Sequence, residues 1–203
     1  MIHPIEVESY RVLETRVDLS HLDRGPRAVV ERVIHASADL EYVESMVVDV
    51  AAVGAGVNAL RAGKPVVCDV EMVRHGIRGA TAECHLADNA CADDACAGDA
   101  TRAARGVRSA AARHPAGAVV VVGCAPTALD EVVQLARAGT FAPALVVGLP
   151  VGFVGAADSK ARLRASGLPA ITNVGDKGGS AVAAATVNAL VRLAAEREEG
   201  NTP

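Results

Sequence analysis

Short apolar runs alternate with longer segments of helical periodicity along this chain. Most of the runs are rich in valine, lack polar residues at alternate positions and end on Gly, Asp or Pro. Strands that are covered on both faces of a parallel sheet have this pattern. The predicted strands are residues 45–48, 65–68, 82–86, 118–122, 144–148 and 169–172.

Segments with helical periodicity lie before the first strand and after most of the strands. The predicted helices are residues 5–16, 24–36, 49–62, 97–113, 127–138, 156–166 and 179–198. Strands that alternate with helices form right-handed βαβ units, so we expect an α/β fold, a three-layer α/β/α sandwich with a mostly parallel sheet. No internal repeat or linker is visible, which predicts a single domain over residues 1–203 with a frayed tail at 197–203.

Three loops that follow predicted strands are the expected ligand-binding edge of the sheet. They are residues 123–127, 148–152 and 173–180, and all three are rich in small, turn-forming residues. Open parallel sheets bind ligands beyond the carboxyl ends of their strands. Each loop leads into a helix whose first N–H groups are free, so the fold predicts a pocket suited to an anionic ligand.

The composition excludes several classes of function. The chain has 203 residues, 2% aromatic residues and a formal net charge of -4, so it has neither the basic surface nor the stacking platform of a nucleic-acid-binding protein. No apolar stretch is long enough to cross a bilayer, and the first residues are too polar for a secretory signal. The five cysteines have no C-x-x-C spacing. We therefore expect a cytoplasmic protein with reduced thiols, without a membrane or nucleic-acid partner.

Neither a nucleotide motif nor a metal motif is present. The glycine-rich loops match neither G-x-G-x-x-G nor the Gly-Lys-Ser/Thr end of a P-loop, and their glycines are explained by tight turns. His75 and His85 belong to no spaced ligand motif, and Cys84, Cys91 and Cys96 fit no established site. The stretch between Asp88 and Asp99 is interpreted as a solvated loop, and His114 as a surface residue. We expect no cofactor and no metal.

Four sequence blocks resemble the precorrin-8X methylmutase family, which includes the cobalt-precorrin-8 methylmutases. They are IEVESY at 5–10, RVIHASAD at 32–39, GCAPTAL at 123–129 and LPVGFVGAA at 149–157. Weaker matches are CDVEMV at 68–73, TR at 101–102, and the segment from GGS at 178–180 to NAL at 188–190. The blocks occur in the family's order and cover nearly the whole chain.

The resemblance implies a function. In this family a methyl group moves from C-11 to C-12 of a tetrapyrrole macrocycle during vitamin B12 biosynthesis, without an added cofactor. It further implies a flavodoxin-like sheet and homodimers that share active sites. His35 matches the position of the family's catalytic histidine, and the 32–39 block is closer to the cobalt-precorrin branch.

Histidine suits such a reaction chemically. A protonated ring nitrogen, or a charged donor beside it, draws electron density from the macrocycle and lowers the barrier to methyl migration. The ordinary pKa of histidine, about 6.5, permits either protonation state near neutrality. His35 ends a predicted helix, where the dipole favours the imidazolium. Without the matching block, a helix cap or a surface residue would be the ordinary interpretation.

Further residues are predicted to bind the substrate, whose class carries many acetate and propionate groups. Ser9 matches a family position near the ring, although a solvent-facing helix serine explains it nearly as well. Arg102, after Thr101 at a helix start, can hold a carboxylate with two donors, or it can be a surface arginine. Lys177, with the N–H groups of Gly178, Gly179 and Ser180, can hold another carboxylate; the alternative is a helix start that needs only a cap. Together with His35, these three segments complete the predicted site.

Three positions depart from the family pattern. Cys124 stands where an asparagine is usual before Ala-Pro-Thr, so it lacks the donor and acceptor of an amide. Glu8 and Asp176 stand where basic residues are common, and both place negative charge near the predicted carboxylate-binding groups. We expect either that these carboxylates point away or that the substrate presents a differently modified edge.

Two other functions remain compatible with the sequence. A corrinoid-binding carrier would keep the fold and hold the macrocycle without converting it. A flavodoxin-like nucleotide binder would use the same sheet edge for FMN or a dinucleotide. Spectral conversion of the tetrapyrrole distinguishes the methylmutase from the first, and binding of FMN but not of corrinoids identifies the second.

Overall fold

The computed structural model of the chain describes residues 3–88 and 100–196, and six strands in it form one sheet. The strands are β1 Met46–Val47, β2 Val66–Cys68, β3 Ala82–Cys84, β4 Val119–Val122, β5 Leu145–Gly148 and β6 Ala170–Asn173. They lie in the order β1-β6-β5-β4-β2-β3, and every pair is parallel except β1 with β6. Without the antiparallel edge strand, the order is the flavodoxin-like 2-1-3-4-5. The predicted mostly parallel, flavodoxin-like sheet is confirmed.

Helices cover both faces of this sheet. Their bounds are α1 Pro4–Glu14, α2 Arg24–Ser37, α3 Tyr42–Ser45, α4 Val50–Arg61, α5 Glu71–Gly76, α6 Arg102–Arg113, α7 Pro126–Arg137, α8 Ala156–Arg164 and α9 Ser180–Ala195. Helices α2, α4, α5 and α9 pack on one face and α6, α7 and α8 on the other, while α1 packs on the outside of α2. The three-layer sandwich is therefore confirmed.

The central strand β4 shows why the apolar runs lack polar alternation. Val119 and Val121 belong to the core under α2, α4 and α9, whereas Val120 and Val122 belong to the core under α6 and α7. All four side chains are buried. Because successive residues of a strand point to opposite faces, a strand between two helical layers needs an apolar residue at every position.

The sequence prediction missed some short elements and some boundaries. Helices α3 and α5 have four and six residues, too few to show a helical period. Strand β3 ends at Cys84, two residues before the predicted end. The start predicted for α6 at residues 97–99, the rest of the predicted loop at 89–96 and the tail at 197–203 lie outside the described residues. In the described residues, no helix is long and apolar enough to cross a membrane.

Candidate active site

The loops after β5 and β6 are joined at the carboxyl edge of the sheet. The N–H of Gly179 donates to the carbonyl of Leu149 at 2.8 Å, and the N–H of Gly152 donates to the carbonyl of Asp176 at 3.1 Å. Gly178 lies so close to the β5 loop that a Cβ on it would stand 2.3 Å from the oxygen of Leu149. Only glycine fits at this position, because any side chain would force the two loops apart.

Gly179 corrects part of the sequence prediction. Its N–H was expected to be free for a substrate carboxylate, but it is bonded to Leu149 in the adjacent loop. The backbone of Gly179 has a φ of 125°, which L side chains rarely adopt, and it precedes the first residue of α9, Ser180. Gly179 therefore serves to hold the two loops together.

A buried lysine supports the β6 loop from below. The ammonium group of Lys160, on α8, donates to Oδ1 of Asn173 at 2.9 Å and to the carbonyl of Lys177 at 2.6 Å. The side chain is completely buried, and this burial lowers the pKa of Lys160 to about 8. The amide of Asn173 donates to the same carbonyl of Lys177 at 2.9 Å. Two side chains thus fix the conformation of the loop from beneath.

The loop after β4 is held by a carboxylate from the end of β2. Asp69, which is 4% exposed, accepts hydrogen bonds from the N–H groups of Gly123 at 3.1 Å and of Cys124 and Ala125 at 2.8 Å each. Burial raises the pKa of Asp69, and the N–H donors act in the opposite direction. Strands β2 and β4 flank the point where strand order reverses, which is where flavodoxin-like proteins bind their ligand. Here the protein's own carboxylate takes those N–H groups.

His35 is held by two residues of α1. Its Nδ1 lies 2.8 Å from the hydroxyl oxygen of Ser9, and its ring stacks on Tyr10 with centroids 4.9 Å apart and planes 8° from parallel. Ser9 and Tyr10 are on adjacent positions of α1, while His35 is in the last turn of α2. Among the described residues Nε2 of His35 has no hydrogen-bond partner. The ring is therefore oriented through Nδ1 and has Nε2 free for a ligand.

The electrostatic environment of His35 differs from the prediction. Burial lowers the pKa of His35, Arg32 lowers it further, and Glu6 partly compensates. The helix dipole was expected to favour the imidazolium, whereas burial and the neighbouring guanidinium favour the neutral imidazole. Arg32 donates to Oε1 of Glu6 at 2.8 Å and to the hydroxyl of Tyr10 at 3.4 Å. When protonated, His35 is thus a stronger acid than an ordinary histidine.

Lys177 connects the β6 loop to the end of α2. Its ammonium group lies 2.6 Å from Oδ2 of Asp39 and 2.8 Å from Oε2 of Glu41. These carboxylates raise the pKa of Lys177 to about 12, so the side chain stays charged. The contact brings the predicted Lys177 to the chain just after His35. It also means that a substrate carboxylate has to compete with two protein carboxylates for this cation.

The remaining predicted residues, Thr101 and Arg102, lie where α6 and α7 begin. The hydroxyl of Thr101 caps α6 through the N–H of Ala104 and lies 2.7 Å from the hydroxyl of Thr127. Arg102 is exposed and follows directly. The pair therefore flanks the β4 loop that Asp69 holds, and the guanidinium of Arg102 is accessible from solvent.

The three departures from the family pattern are accommodated differently. Glu8 is exposed and forms a bidentate pair with Arg11, at 2.7 and 2.8 Å, so its charge is neutralised on α1. Asp176 is exposed, and its backbone carbonyl bonds to the adjacent loop. Cys124 is exposed and is held through its N–H rather than through its side chain. The expectation that the two carboxylates point away fits Glu8 best.

A groove of about 580 Å³ lies between α1, α2 and α9. Its walls include Tyr10 and the guanidinium groups of Arg32, Arg78 and Arg192. Four glutamates line the same groove and outnumber its three arginines, and His35 is not among its lining residues. The groove is therefore a weaker candidate for the macrocycle than the edge beside His35.

Three residues that shape the site were not singled out from the sequence. Asp69 and Lys160 are charged residues that act on backbone groups, and no local motif marks that role. The sequence signal for Asp69 is its position directly after an apolar strand, within the CDVEMV block. Tyr10 ends the IEVESY block, but only the structure shows that its ring stacks on His35.

Comparison with known proteins agrees with this geometry. The family model described as precorrin-8X methylmutase matches residues 4–193. The cobalt-precorrin-8 methylmutase of Priestia megaterium is 42% identical over 94% of this chain and 87% of its own length. The precorrin-8X methylmutase of Pseudomonas aeruginosa is 38% identical over 94% of both chains.

A solved structure has the same fold along almost its whole length. The precorrin-8X methylmutase of Thermus thermophilus superposes with a TM-score of 0.85 at 36% identity, covering 94% of this chain and 95% of that one. The family match at residues 4–193 includes every residue of the site described above. The chain belongs to the precorrin-8X methylmutase family.

Proposed function

We propose that this protein is an isomerase of vitamin B12 biosynthesis that moves a methyl group from C-11 to C-12 of precorrin-8X or cobalt-precorrin-8. The products are hydrogenobyrinate and cobyrinate, respectively. The family membership and the relatives at 38–42% identity support this activity. The structural observation that carries it is the imidazole of His35, held by Ser9 and stacked on Tyr10, with Nε2 free.

The proposed role of His35 is that of an acid. In the imidazolium, Nδ1–H donates to the hydroxyl of Ser9, and Nε2–H is directed to a nitrogen of the macrocycle. Proton transfer to that nitrogen withdraws electron density from the ring system, and the methyl group migrates with its bonding electrons. The proton then returns to His35, since the overall reaction is an isomerisation. Such a positioned acid contributes about 10²–10⁴-fold to a rate.

The remaining rate enhancement comes from a preorganised site. The edge loops are fixed by Asp69, Lys160 and the glycine contact at Gly178, so little reorganisation is needed when the macrocycle binds. We propose that Arg102 binds a peripheral carboxylate of the substrate from the α6 side. Lys177 would bind another substrate carboxylate from the α2 side by exchanging one of its two carboxylate partners. The backbone of Gly178 and Ser180 lies next to Lys177 and borders the same place.

We further propose a single catalytic domain, a homodimer and a cytoplasmic location. The family match over residues 4–193 supports one domain. The β5 loop exposes Val151, Phe153 and Val154, and Phe153 is 97% exposed, which supports a partner surface beside the site. The free thiols of Cys68, Cys84 and Cys124 fit a reducing compartment.

One experiment separates this proposal from its alternatives. The purified protein is incubated with precorrin-8X and, separately, with cobalt-precorrin-8, and the absorption spectrum is followed over time. We expect catalytic conversion of at least one of them. Retention of the pigment without conversion would identify a carrier. A nucleotide binder is disfavoured because Asp69 already holds the N–H groups at the switch point, and FMN titration tests it directly.

A further inference from the structure

Two histidines and a glutamate meet at the outer edge of the sheet. Glu83 and His85 lie two residues apart at β3, so their side chains share one face. His114 follows the last residue of α6. Nε2 of His85 lies 3.6 Å from Oε2 of Glu83, and Nε2 of His114 lies 2.5 Å from Oε1 of Glu83. One donor atom of each residue falls within 4.8 Å of the others.

Two polar atoms of this cluster are buried without a hydrogen bond in the described residues. His85 is 5% exposed, and its Nε2 has no hydrogen bond. Oε1 of Glu83 is also buried and accepts no hydrogen bond, although Nε2 of His114 is in contact with it. Buried polar atoms are nearly always satisfied in folded proteins. An unsatisfied imidazole nitrogen beside a carboxylate that has an unsatisfied oxygen points to a bound group.

A second carboxylate orients the buried histidine. Nδ1 of His85 lies 2.7 Å from Oδ2 of Asp88, and Arg113 donates to the same oxygen at 2.8 Å. With its proton on Nδ1, His85 presents the lone pair of Nε2 to Glu83. Histidines that ligate metals are oriented by a carboxylate in this way.

We propose that Glu83, His85 and His114 bind a divalent transition-metal ion of the Zn²⁺ type. Two imidazole nitrogens and one carboxylate are a common Zn²⁺ donor set, with water as fourth ligand, whereas Ca²⁺ and Mg²⁺ prefer oxygen alone. Donors about 2.1 Å from a tetrahedral ion lie about 3.4 Å apart. The distance between Glu83 and His85 fits, and His114, only partly buried, has room to withdraw from Glu83.

The site is accessible and distant from the proposed chemistry. Glu83 and His114 line a depression of about 640 Å³, which gives an ion a path from solvent. Helix α6 has 12 residues and is about 18 Å long, and His114 stands at the opposite end from Thr101. The ion would therefore tie the edge strand β3 to the end of α6. Its role is structural, and it is independent of the methyl shift.

The sequence predicts no metal site, because the spacing of its histidines and acidic residues fits no ligand motif. His114 was expected to be a surface residue. The ligands come from a strand edge and from the end of the next described helix along the chain. Only the packing of α6 against the edge of the sheet, where β3 pairs with β2, brings them together.

The test is a metal titration of untagged protein whose thiols have been alkylated. Zn²⁺ is titrated in competition with a chromophoric chelator, and Co²⁺ is added separately to record its d–d spectrum. We expect one Zn²⁺ per chain, a tetrahedral Co²⁺ spectrum and a higher unfolding temperature with Zn²⁺. His114→Ala and Glu83→Gln should each weaken Zn²⁺ binding at least about tenfold, and Asp88→Asn about 10–100-fold.

The matched control is His75→Ala, because His75 lies 3.6 Å from Glu71 on the surface, and the described part of the chain offers no third ligand there. It should leave Zn²⁺ binding unchanged. The proposal is overturned if no Zn²⁺ binds, or if His114→Ala and Glu83→Gln bind Zn²⁺ as tightly as the parent protein does. Equal weakening by His75→Ala would overturn it too. Circular dichroism verifies that the variants, which change partly exposed side chains, remain folded.

Discussion

Replacing Asp69 by alanine tests how the β4 loop is held. The substitution leaves three N–H groups without their acceptor, of which that of Gly123 is fully buried. An orphaned buried donor costs about 1–3 kcal/mol, and the two partly buried donors of Cys124 and Ala125 cost less because water reaches them. Burial raises the pKa of Asp69, so removal of the buried charge offsets part of the loss. We expect a net decrease of about 2–4 kcal/mol in the free energy of unfolding.

The assay is urea denaturation followed by circular dichroism, with hydrogen exchange of the loop amides as a local measure. Asp69→Asn should fall between the parent and the alanine variant, since one oxygen remains. The control is Asp18→Ala, because Asp18 accepts one exposed N–H bond, from Ser20, at 2.9 Å. A change below about 1 kcal/mol is expected there. If Asp69→Ala is as stable as Asp18→Ala and its loop amides stay protected, the reasoning is wrong.

Three further predictions concern the supports of the site. The pKa of Lys160, about 8 in the fold, lies below that of the unfolded chain, so the unfolded state binds more protons between these values and stability rises with pH there. From pH 8 to 10.5, the unfolding free energy of the parent should rise by about 2–3 kcal/mol relative to that of Lys160→Met; a constant difference would contradict this. Ser9→Ala removes the partner of His35 and should lower kcat about 3–30-fold at unchanged KM; steady-state kinetics with an unaltered kcat would exclude the orienting role. Gly178→Ala places a Cβ 2.3 Å from a backbone oxygen and should cost about 1–3 kcal/mol, whereas Gly54→Ala, in a helix with open space around it, should be neutral or stabilising; thermal denaturation of the two variants decides.

The sequence was sufficient for the fold because its signals are local. The six apolar runs become the six strands, and the helices between them keep their positions to within a few residues. The valines of β4 predicted burial on both faces, and the structure places them in two separate cores. By contrast, α3 and α5 are too short for a period, and the antiparallel pairing of β1 depends on a distant strand.

The site was predictable only where a matched block carried it. His35 and Ser9 came from such blocks, and the structure brings them to 2.8 Å. The interactions of Asp69 and Lys160 involve backbone groups that are distant in sequence, so no residue pattern reveals them. Lys177 shows the same limit, since its pairing with Asp39 depends on how two loops meet.

The central claim is that the imidazole of His35 supplies the proton. His35→Asn keeps a polar side chain of similar reach and should still bind the tetrapyrrole, but conversion should fall about 10²–10⁴-fold. In the parent protein kcat/KM should decrease with rising pH, with a midpoint below the ordinary histidine pKa, because burial lowers the pKa of His35. A conversion rate by His35→Asn equal to that of the parent would contradict the account.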